Sequence, residues 1–539
     1  MKRASGLILI LWLVLFAAFA HAEDAWEQPA VEENAAVYGS IEVLSSPKAN
    51  LSIYDADLNA GEGVELWVRV PNDPDAQYQW YSCPEHSVEG AAAIPGATQS
   101  VYRTDAFYAP EMRSYCCMIE SRGETVCTDL FHAAYTGLPT LMIDTPQGEA
   151  VESKELWLEE TRVELVSARQ EYCFADSQAK IKRRGNSSYE QPKHPFTIKL
   201  SDKFEVLGMN KAKKWVLVGN YSDKTLIRNA FAYGISNSVF DGMDWNPSGS
   251  FVDLILNGEY LGTYLLCESI EIGKNRVHIP NASEEDDINN GGFIFEVDFR
   301  MDEDFCFETS RGSQVALKDP EIDDFYLENE DDDAQIRQYI IDLFEQIESA
   351  VYSGKYADVI DVDSFVDWYI VNEIAKNTDA VWHSSVYLYY DPADGKMHMG
   401  PAWDFDIAFG NTKFNPMVYE TGFFVSESGW YQALFNDAEF MSRVKKRWLE
   451  VREELTDAVE TGIQEMADEL CVSAEINFEK WDILGRYVWP NPNGYDVRTS
   501  YQSEVDYLVA WLGNRIAWMD AMMSSEGNPW RPAQIVYDP

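Results

Sequence analysis

Several chemistries lack their signatures here. The 539 residues contain no G-x-x-x-x-G-K-[ST], no H-E-x-x-H and no G-x-S-x-G. The ready machinery of P-loop, zinc-protease and serine-hydrolase chemistry is therefore missing. Histidines number only seven, and the eight cysteines form no CxxC pair, which argues against a zinc ribbon or a thioredoxin-like centre. Basic residues are also scarce: 42 Lys and Arg stand against 91 Asp and Glu, a net charge of −49. Such a field repels nucleic acid and anionic lipid and draws cations and basic polypeptides; it equally serves solubility. After the N-terminus no apolar run is long enough to span a bilayer. With 46% hydrophobic and 13% aromatic residues, the chain is nevertheless not a disordered one.

What is present starts with an export signal. Lys2 and Arg3 precede an apolar stretch from Leu7 to Phe19, and Ala20-His21-Ala22 follows. About 13 apolar residues fall short of the roughly 20 that cross a membrane. The pattern predicts a signal peptide cleaved after Ala22 and a secreted or extracytoplasmic chain. Residues 23–38 read as an acidic linker. From 39 to 137, short alternating runs such as Val64–Val70, Tyr78–Tyr81 and Tyr115–Ile119 predict strands between turns. With Trp80 as a core tryptophan and Tyr115 two before Cys117, this region resembles an all-β immunoglobulin-like sandwich. It departs from that pattern in lacking a cysteine on its second strand. A non-standard pairing involving Cys83 and Cys127 is expected; four cysteines (Cys83, Cys116, Cys117, Cys127) allow three connectivities, and the sequence does not choose.

Residues 138–525 read as strands first and helices later, an α+β region, with 526–539 as a tail. Strands are expected at 180–184, 196–200, 215–218, 251–256, 260–267 and 292–297, interrupted by a helix near 224–239. Helices are expected at 335–351, at 437–466, at 505–523, and up to about 375 with Asp363 as its cap. Asp319–Asp333 holds nine acidic residues in fifteen and reads as a solvated loop, the alternative being a calcium or basic-substrate site. Between them, Lys376-Asn-Thr-Asp379 and Trp403-Asp404-Phe-Asp406 flank a strand, an Asp391–Gly395 turn and a strand. That is a hairpin with an acidic residue at each base. Phosphoryl transfer needs one carboxylate for the attacking hydroxyl and another for the metal on the phosphates.

The sequence resembles the CotH (spore coat protein H) family of atypical protein kinases. The resemblance rests on Asn377-Thr-Asp379, Gly400-Pro-Ala-Trp-Asp404-Phe, Arg184-Gly-Asn-Ser-Ser188, Pro192–Lys199, Asn220–Asn229 and Asn257–Tyr264. It implies a two-lobed protein-kinase-like domain that moves the γ-phosphoryl group of ATP, with Mg2+ or Mn2+, to a Ser or Thr of an exported protein. By this resemblance Asp379 is the catalytic residue and Asp404 the metal ligand. Ser384 stands where ordinary kinases place a metal-binding Asn, and Asp406 offers a second carboxylate. Arg184, Gly185, Asn186 and Ser187 form the turn over the phosphates. Lys199, with Lys214 as its rival, is the phosphate lysine; Glu268 lies toward the adenine, and Trp403 packs beside it. A nucleotide-binding scaffold without turnover and a nucleotidyl transferase remain as alternatives. The charge leads to one prediction. Basic Ser-containing peptides are phosphorylated faster than acidic ones at low salt, and the difference shrinks as salt screens the summed field over about 8 Å; a peptide series assayed at two ionic strengths checks this.

Overall fold

Two-residue alternation of apolar side chains builds the cores of the N-terminal unit and of the region that follows it. The computed structural model describes residues 34–55, 60–325 and 330–530; the expected signal segment lies outside them. The N-terminal unit contains β1 (Asn34–Tyr38), β2 (Ile41–Ser45), β3 (Ala49–Leu51), β4 (Glu65–Arg69), β5 (Gln77–Cys83), β6 (Val101–Arg103), β7 (Glu111–Ser121), β8 (Glu124–Cys127) and β9 (Phe131–Tyr135). They form two sheets, β1-β2-β4-β6 and β3-β9-β7-β5, with β8 pairing the C-terminal part of β7 along the edge that β9 pairs farther back. Leu66, Val68, Trp80, Tyr115, Cys117, Ile119 and Phe131 fill the space between them. Trp80 is fully buried and donates its indole N–H to Gln99 O at 2.9 Å. The linker expectation fails for residues 34–38, because β1 pairs along its whole length with β2.

The next region is a closed barrel. Its strands are β10 (Thr140–Asp144), β11 (Leu158–Val166), β12 (Phe174–Arg183), β13 (Phe196–Val206), β14 (Met209–Val218), β15 (Gly249–Leu256) and β16 (Glu259–Glu268). The order is β10-β11-β12-β13-β14-β16-β15, closed by parallel pairing of β10 with β15. Alternate residues point inward: Leu141 and Ile143, Val163 and Leu165, Ile198 and Leu200, Trp215 and Leu217, Val252 and Leu254. The intervening residues face outward. Helix α1 (Arg228–Ser238) interrupts the strand series before β15, as expected, though it starts four residues later than 224.

The rest is α+β. Strands β17 (Phe293–Val297), β18 (Cys306–Glu308), β19 (Gln314–Asp319), β20 (Val386–Asp391) and β21 (Lys396–Met399) join in the order β18-β19-β17-β20-β21. Around them pack α2 (Glu330–Tyr352), α3 (Val362–Ala375), α4 (Ala438–Asp457), α5 (Ile463–Lys480) and α6 (Tyr501–Met523). Three expectations need correction. The cap of α3 is Asp361, whose carboxylate accepts the Ser364 N–H at 2.8 Å; Asp363 lies in the first turn, where its side chain cannot reach back to cap. The helix expected to end at 466 runs on through a π turn at Ala458–Gly462 into α5. The acidic stretch is not one loop: Asp319 ends β19, and α2 starts at Glu330 inside it. Asp319 accepts the Ile272 N–H at 2.5 Å, and burial pushes its carboxyl up to about 6.

The three parts meet on α5. Asp253, fully buried on β15, accepts from Thr136 at 2.5 Å, Ser473 at 2.8 Å and Tyr260 at 3.0 Å. One carboxylate thus ties the end of the N-terminal unit, the barrel and α5. Lys193 donates to Thr263 O at 2.5 Å and to Asn477 Oδ1 of α5 at 2.8 Å. Further on, Arg515 of α6 meets Glu373 of α3 at 2.8 Å with both side chains wholly enclosed. Its guanidinium also reaches Glu420 O and Gly422 O at 2.8 and 2.9 Å. Among the described residues no helix is long and apolar enough to cross a membrane. Replacing Arg515→Met strands the Glu373 carboxylate without its cation, so stability should fall by about 3–5 kcal/mol. Denaturant titration followed by tryptophan fluorescence measures it.

Candidate active site

The carboxylates arrive on two loops that are tied to each other. Helix α3 ends at Ala375 and is followed by Lys376, held in the left-handed region at φ 43°. Its ammonium donates to Pro416 O, Tyr419 O and Thr421 O at 3.1, 2.9 and 2.5 Å, which turns the chain sharply. Asn377 follows. Its Oδ1 accepts the Asp379 N–H at 3.2 Å, and its Nδ2 donates to Asp404 O at 3.1 Å. One side-chain amide therefore fixes both acidic loops, which gives the N-x-D spacing its reason. Thr378 adds a bond to Ile407 O at 3.0 Å. Between the loops runs the β20–β21 hairpin, paired from Leu388↔Met399 to Asp391↔Lys396.

The second loop is held from α1. Asn229 Oδ1 accepts the Phe405 N–H at 2.8 Å, while its amide donates to Asn220 at 3.1 Å. Asp223 and Arg228 form a buried pair at 2.5 Å. Asn246 accepts the Ala402 N–H at 2.9 Å. The Asn220–Asn229 motif is thus a clamp for the loop that carries Asp404. Asp404 itself sits at φ 64°, an unusual position for a non-glycine residue. Ser385 donates to its Oδ2 at 3.1 Å, and Ser222 approaches Asp406 Oδ2 at 3.4 Å.

Asp379, Asp404 and Asp406 line one cleft of about 350 Å³ between the barrel and the helical region. Burial first, and then the charge of Asp404, push the Asp379 carboxyl up to about 7, against the opposing pull of Arg300. Burial and the Asp404 and Asp379 charges drive Asp406 far above the carboxylate range. Ser384 is buried beside Asp379, but its Oγ makes no hydrogen bond of normal geometry. Crowded carboxylates with an orphaned hydroxyl suit a hard divalent cation with oxygen ligands. A different grouping, Asp391, Asp394 and His398, brings its ligand atoms within 4.8 Å, but at the turn end of the hairpin, away from these loops.

The barrel side of the cleft contributes Lys182, Arg183, Arg184 and Lys214, with Glu155 among them, while Arg300 and Lys318 line the carboxylate side together with Glu296, Asp298, Asp302 and Glu303. The basic residues of the barrel side run against a chain in which acids outnumber bases 91 to 42. Gly185 turns at φ 88°, and an added Cβ would overlap Ser188 Oγ. Asn186 and Ser187 also border the cleft. Arg184 lies 5.2 Å over the Trp403 ring, which stacks on Tyr233 at 5.7 Å. One Arg184 Nη is buried and unpartnered. Three expected residues stand outside the cleft lining; the first is Ser384, whose neighbour Ser385 lines it instead. Lys199 is exposed and pairs in register with Lys214, which is the one that borders the cleft. Glu268 is not among the cleft-lining residues; it is paired with Arg276 at 2.5 Å and accepts the Ser248 N–H at 3.0 Å.

Sequence reasoning missed Asp298 and Arg300, paired at 2.9 Å, and Glu296 and Lys318, paired at 3.1 Å. Phe299 stacks on His383 with centroids 4.3 Å apart, pressing this segment against the Asp379 loop. The available signal was the run Glu296-x-Asp298-x-Arg300, charges alternating at the end of an apolar strand.

The sequence model of one protein family, described as CotH kinase protein, matches residues 181–519. That is more than half of the chain, and the chain belongs to the CotH kinase family. No curated protein matches it. The match spans both acidic loops, the clamp and most of the barrel.

The raised Asp379 carboxyl sets a pH test. Folded, it holds its proton to about pH 7; its ordinary value is 3.8. The folded state therefore binds more protons, and stability falls as pH rises between those values. In metal-free protein, Asp379→Asn should gain stability over wild type as pH is raised from 4 to 8, shifting Tm by about 2–4 °C per kcal/mol recovered. Parallel melts across that range check it; an unchanged difference would place the Asp379 carboxyl outside the charge cluster.

Proposed function

We propose that this protein is an atypical protein kinase that transfers the ATP γ-phosphoryl group to a Ser or Thr hydroxyl of an extracytoplasmic protein. The observation that carries this reading is the cleft: three carboxylates on two cross-tied loops share it with Lys182, Arg183, Arg184 and Lys214 of the barrel. The arrangement has the two parts of a phosphoryl-transfer site, a positioned base and a place for charge neutralisation. Two-lobed kinase-like architecture is part of the same reading, with the barrel as the nucleotide-covering lobe. The N-terminal unit is read as an immunoglobulin-like spacer.

Each group has a role. Asp379 orients the acceptor hydroxyl and takes its proton; its raised carboxyl favours proton transfer near neutral pH. Asp404 and Asp406, with Ser384, would hold Mg2+ or Mn2+, which when bound neutralises charge on the phosphates. Arg184 and Lys214 hold phosphate oxygens, and the Gly185 turn lets backbone approach them. Arg300, beside the Asp379 loop, steadies the Asp379 carboxylate. Trp403, sandwiched by Arg184 and Tyr233, sets the depth of the pocket. Acceptors rich in Lys or Arg fit the charge of the molecule.

Asp404→Ala should abolish metal-dependent transfer, while Asp379→Asn keeps nucleotide binding and loses turnover by at least about 100-fold, the usual worth of a positioned base. Lys214→Met should weaken ATP binding and Lys199→Met should not. Mass spectrometry of acceptors incubated with ATP reads the reaction. Gain of one phosphate supports the kinase, gain of AMP indicates nucleotidyl transfer, and tight ATP binding with no gain indicates a scaffold.

A further inference from the structure

The N-terminal unit carries a second chemically competent cluster, made of thiols. Pairing across β5, β7 and β8 fixes which way each cysteine points. Cys117 lies opposite Trp80, and both face the core between the sheets. Side chains alternate along a strand, so Cys116 faces the other way. Cys83 lies opposite Ser114, and Cys127 lies opposite Met118; Ser114, Cys116 and Met118 share one face of β7. Cys83, Cys116 and Cys127 therefore form a row across three neighbouring strands, with Cys116 in the middle. Cys83 Sγ and Cys116 Sγ are 3.4 Å apart, and Cys127, on the strand along the other edge of β7, flanks Cys116 from that side.

Cys116 can bond only one neighbour at a time, so one thiol of the three is always left over. Access is graded along the row. Cys127 is half-buried, whereas Cys116 and Cys83 are 2% and 6% exposed. The neighbouring Cys116 side chain lowers the Cys127 thiol to about 7, while burial raises Cys83. An outside reagent thus meets the most thiolate-like member first.

We propose that Cys127, Cys116 and Cys83 form a thiol–disulfide relay, in which an external disulfide oxidises Cys127 and the bond is passed inward to Cys83–Cys116. Cys127 thiolate attacks the external disulfide, forming a mixed disulfide and releasing one external thiol. Cys116, giving up its proton, attacks Cys127 Sγ; the Cys116–Cys127 bond forms and the second external thiol leaves. Cys83 then attacks Cys116 Sγ, and Cys127 departs as thiolate. Two protein thiols are oxidised, one external disulfide becomes two thiols, and Cys127 is free again. The relay stands apart from the carboxylate cleft and does not depend on its function.

The test uses the reduced full-length chain, exposed to oxidised glutathione, quenched in acid, alkylated and mapped by peptide mass spectrometry. Wild type should end with a Cys83–Cys116 bond and an alkylated Cys127. Cys83→Ser should stop at Cys116–Cys127, and Cys116→Ser should hold glutathione on Cys127. A parallel arm supplies an oxidised CxxC-bearing protein; faster oxidation in one arm identifies a small or a protein disulfide as donor. A bond that includes Cys117, a Cys83–Cys127 bond, or three thiols left reduced in both arms overturns the proposal. The wild-type map decides even if a variant fails to fold.

Discussion

Like charges held together are the constraint around which the larger region is arranged. Asp379, Asp404 and Asp406, each half-buried, share one cleft and form no ion pair among the described residues; the charge of Asp404 raises the proton affinity of Asp379, and the charges of both raise that of Asp406. Repulsion of this kind would spread the loops unless covalent turns and hydrogen bonds held them. The holding groups are neutral amides: Asn377 between the two loops, Asn229 under Phe405, and Asn246 at Ala402. Asn411 and Asn491, bonded to each other at 2.9 Å, close the floor through Asp406 O and Ser222 O. Amides bind backbone without adding charge, so they fix geometry and leave the carboxylates' field intact for a cation.

Charged groups carry the load one layer out. Arg228–Asp223 and Arg515–Glu373 are buried pairs that also reach backbone carbonyls, Phe409 O in one case and Gly422 O in the other. Both sit where irregular chain would otherwise lose its hydrogen bonds in the interior. Such pairs are costly to bury and contribute little net stability against an apolar substitute; what they do here is hold loop carbonyls that no sheet or helix satisfies. Trp530 does related work farther away, donating to Tyr369 OH at 2.7 Å and packing on Phe435, so the expected tail begins as part of the helical core.

The N-terminal unit is joined to the rest by buried polar contacts as well as by the chain. Its outer face meets α5 through His132, 3.5 Å from Glu479, and Ala49 and Ala134 pack with Tyr260 and Ile476. Burial lowers His132 to about 4, so the imidazole is neutral in that contact. Lys193 belongs to the same seam and also borders the cleft. The position of the barrel over the carboxylates and the position of the N-terminal unit thus share α5.

Much was legible in the sequence because it was local. Strand-like runs marked β13, β14, β16 and β17, the Asp391–Gly395 turn marked the hairpin, and the two acidic motifs identified both loops. What stayed hidden depended on partners far away in the chain. Nothing local separates Lys199 from Lys214, since both lie on one face of neighbouring strands; only the placement of the helical region decides that Lys214 meets the cleft. Glu268 ends the strand it was expected to end, yet Arg276, eight residues on, takes it as a structural partner. Asp298 and Arg300 gain meaning only when Phe299 stacks on His383, 84 residues later. The barrel's closure by β10 and β15 and the three-thiol row across β5, β7 and β8 are likewise decided by register. The sequence by itself determined which residue types the chemistry has available and the local turns that present them. Tertiary structure decided which of them share a cavity, because burial and charge act over a few ångströms of space, whatever the distance along the chain.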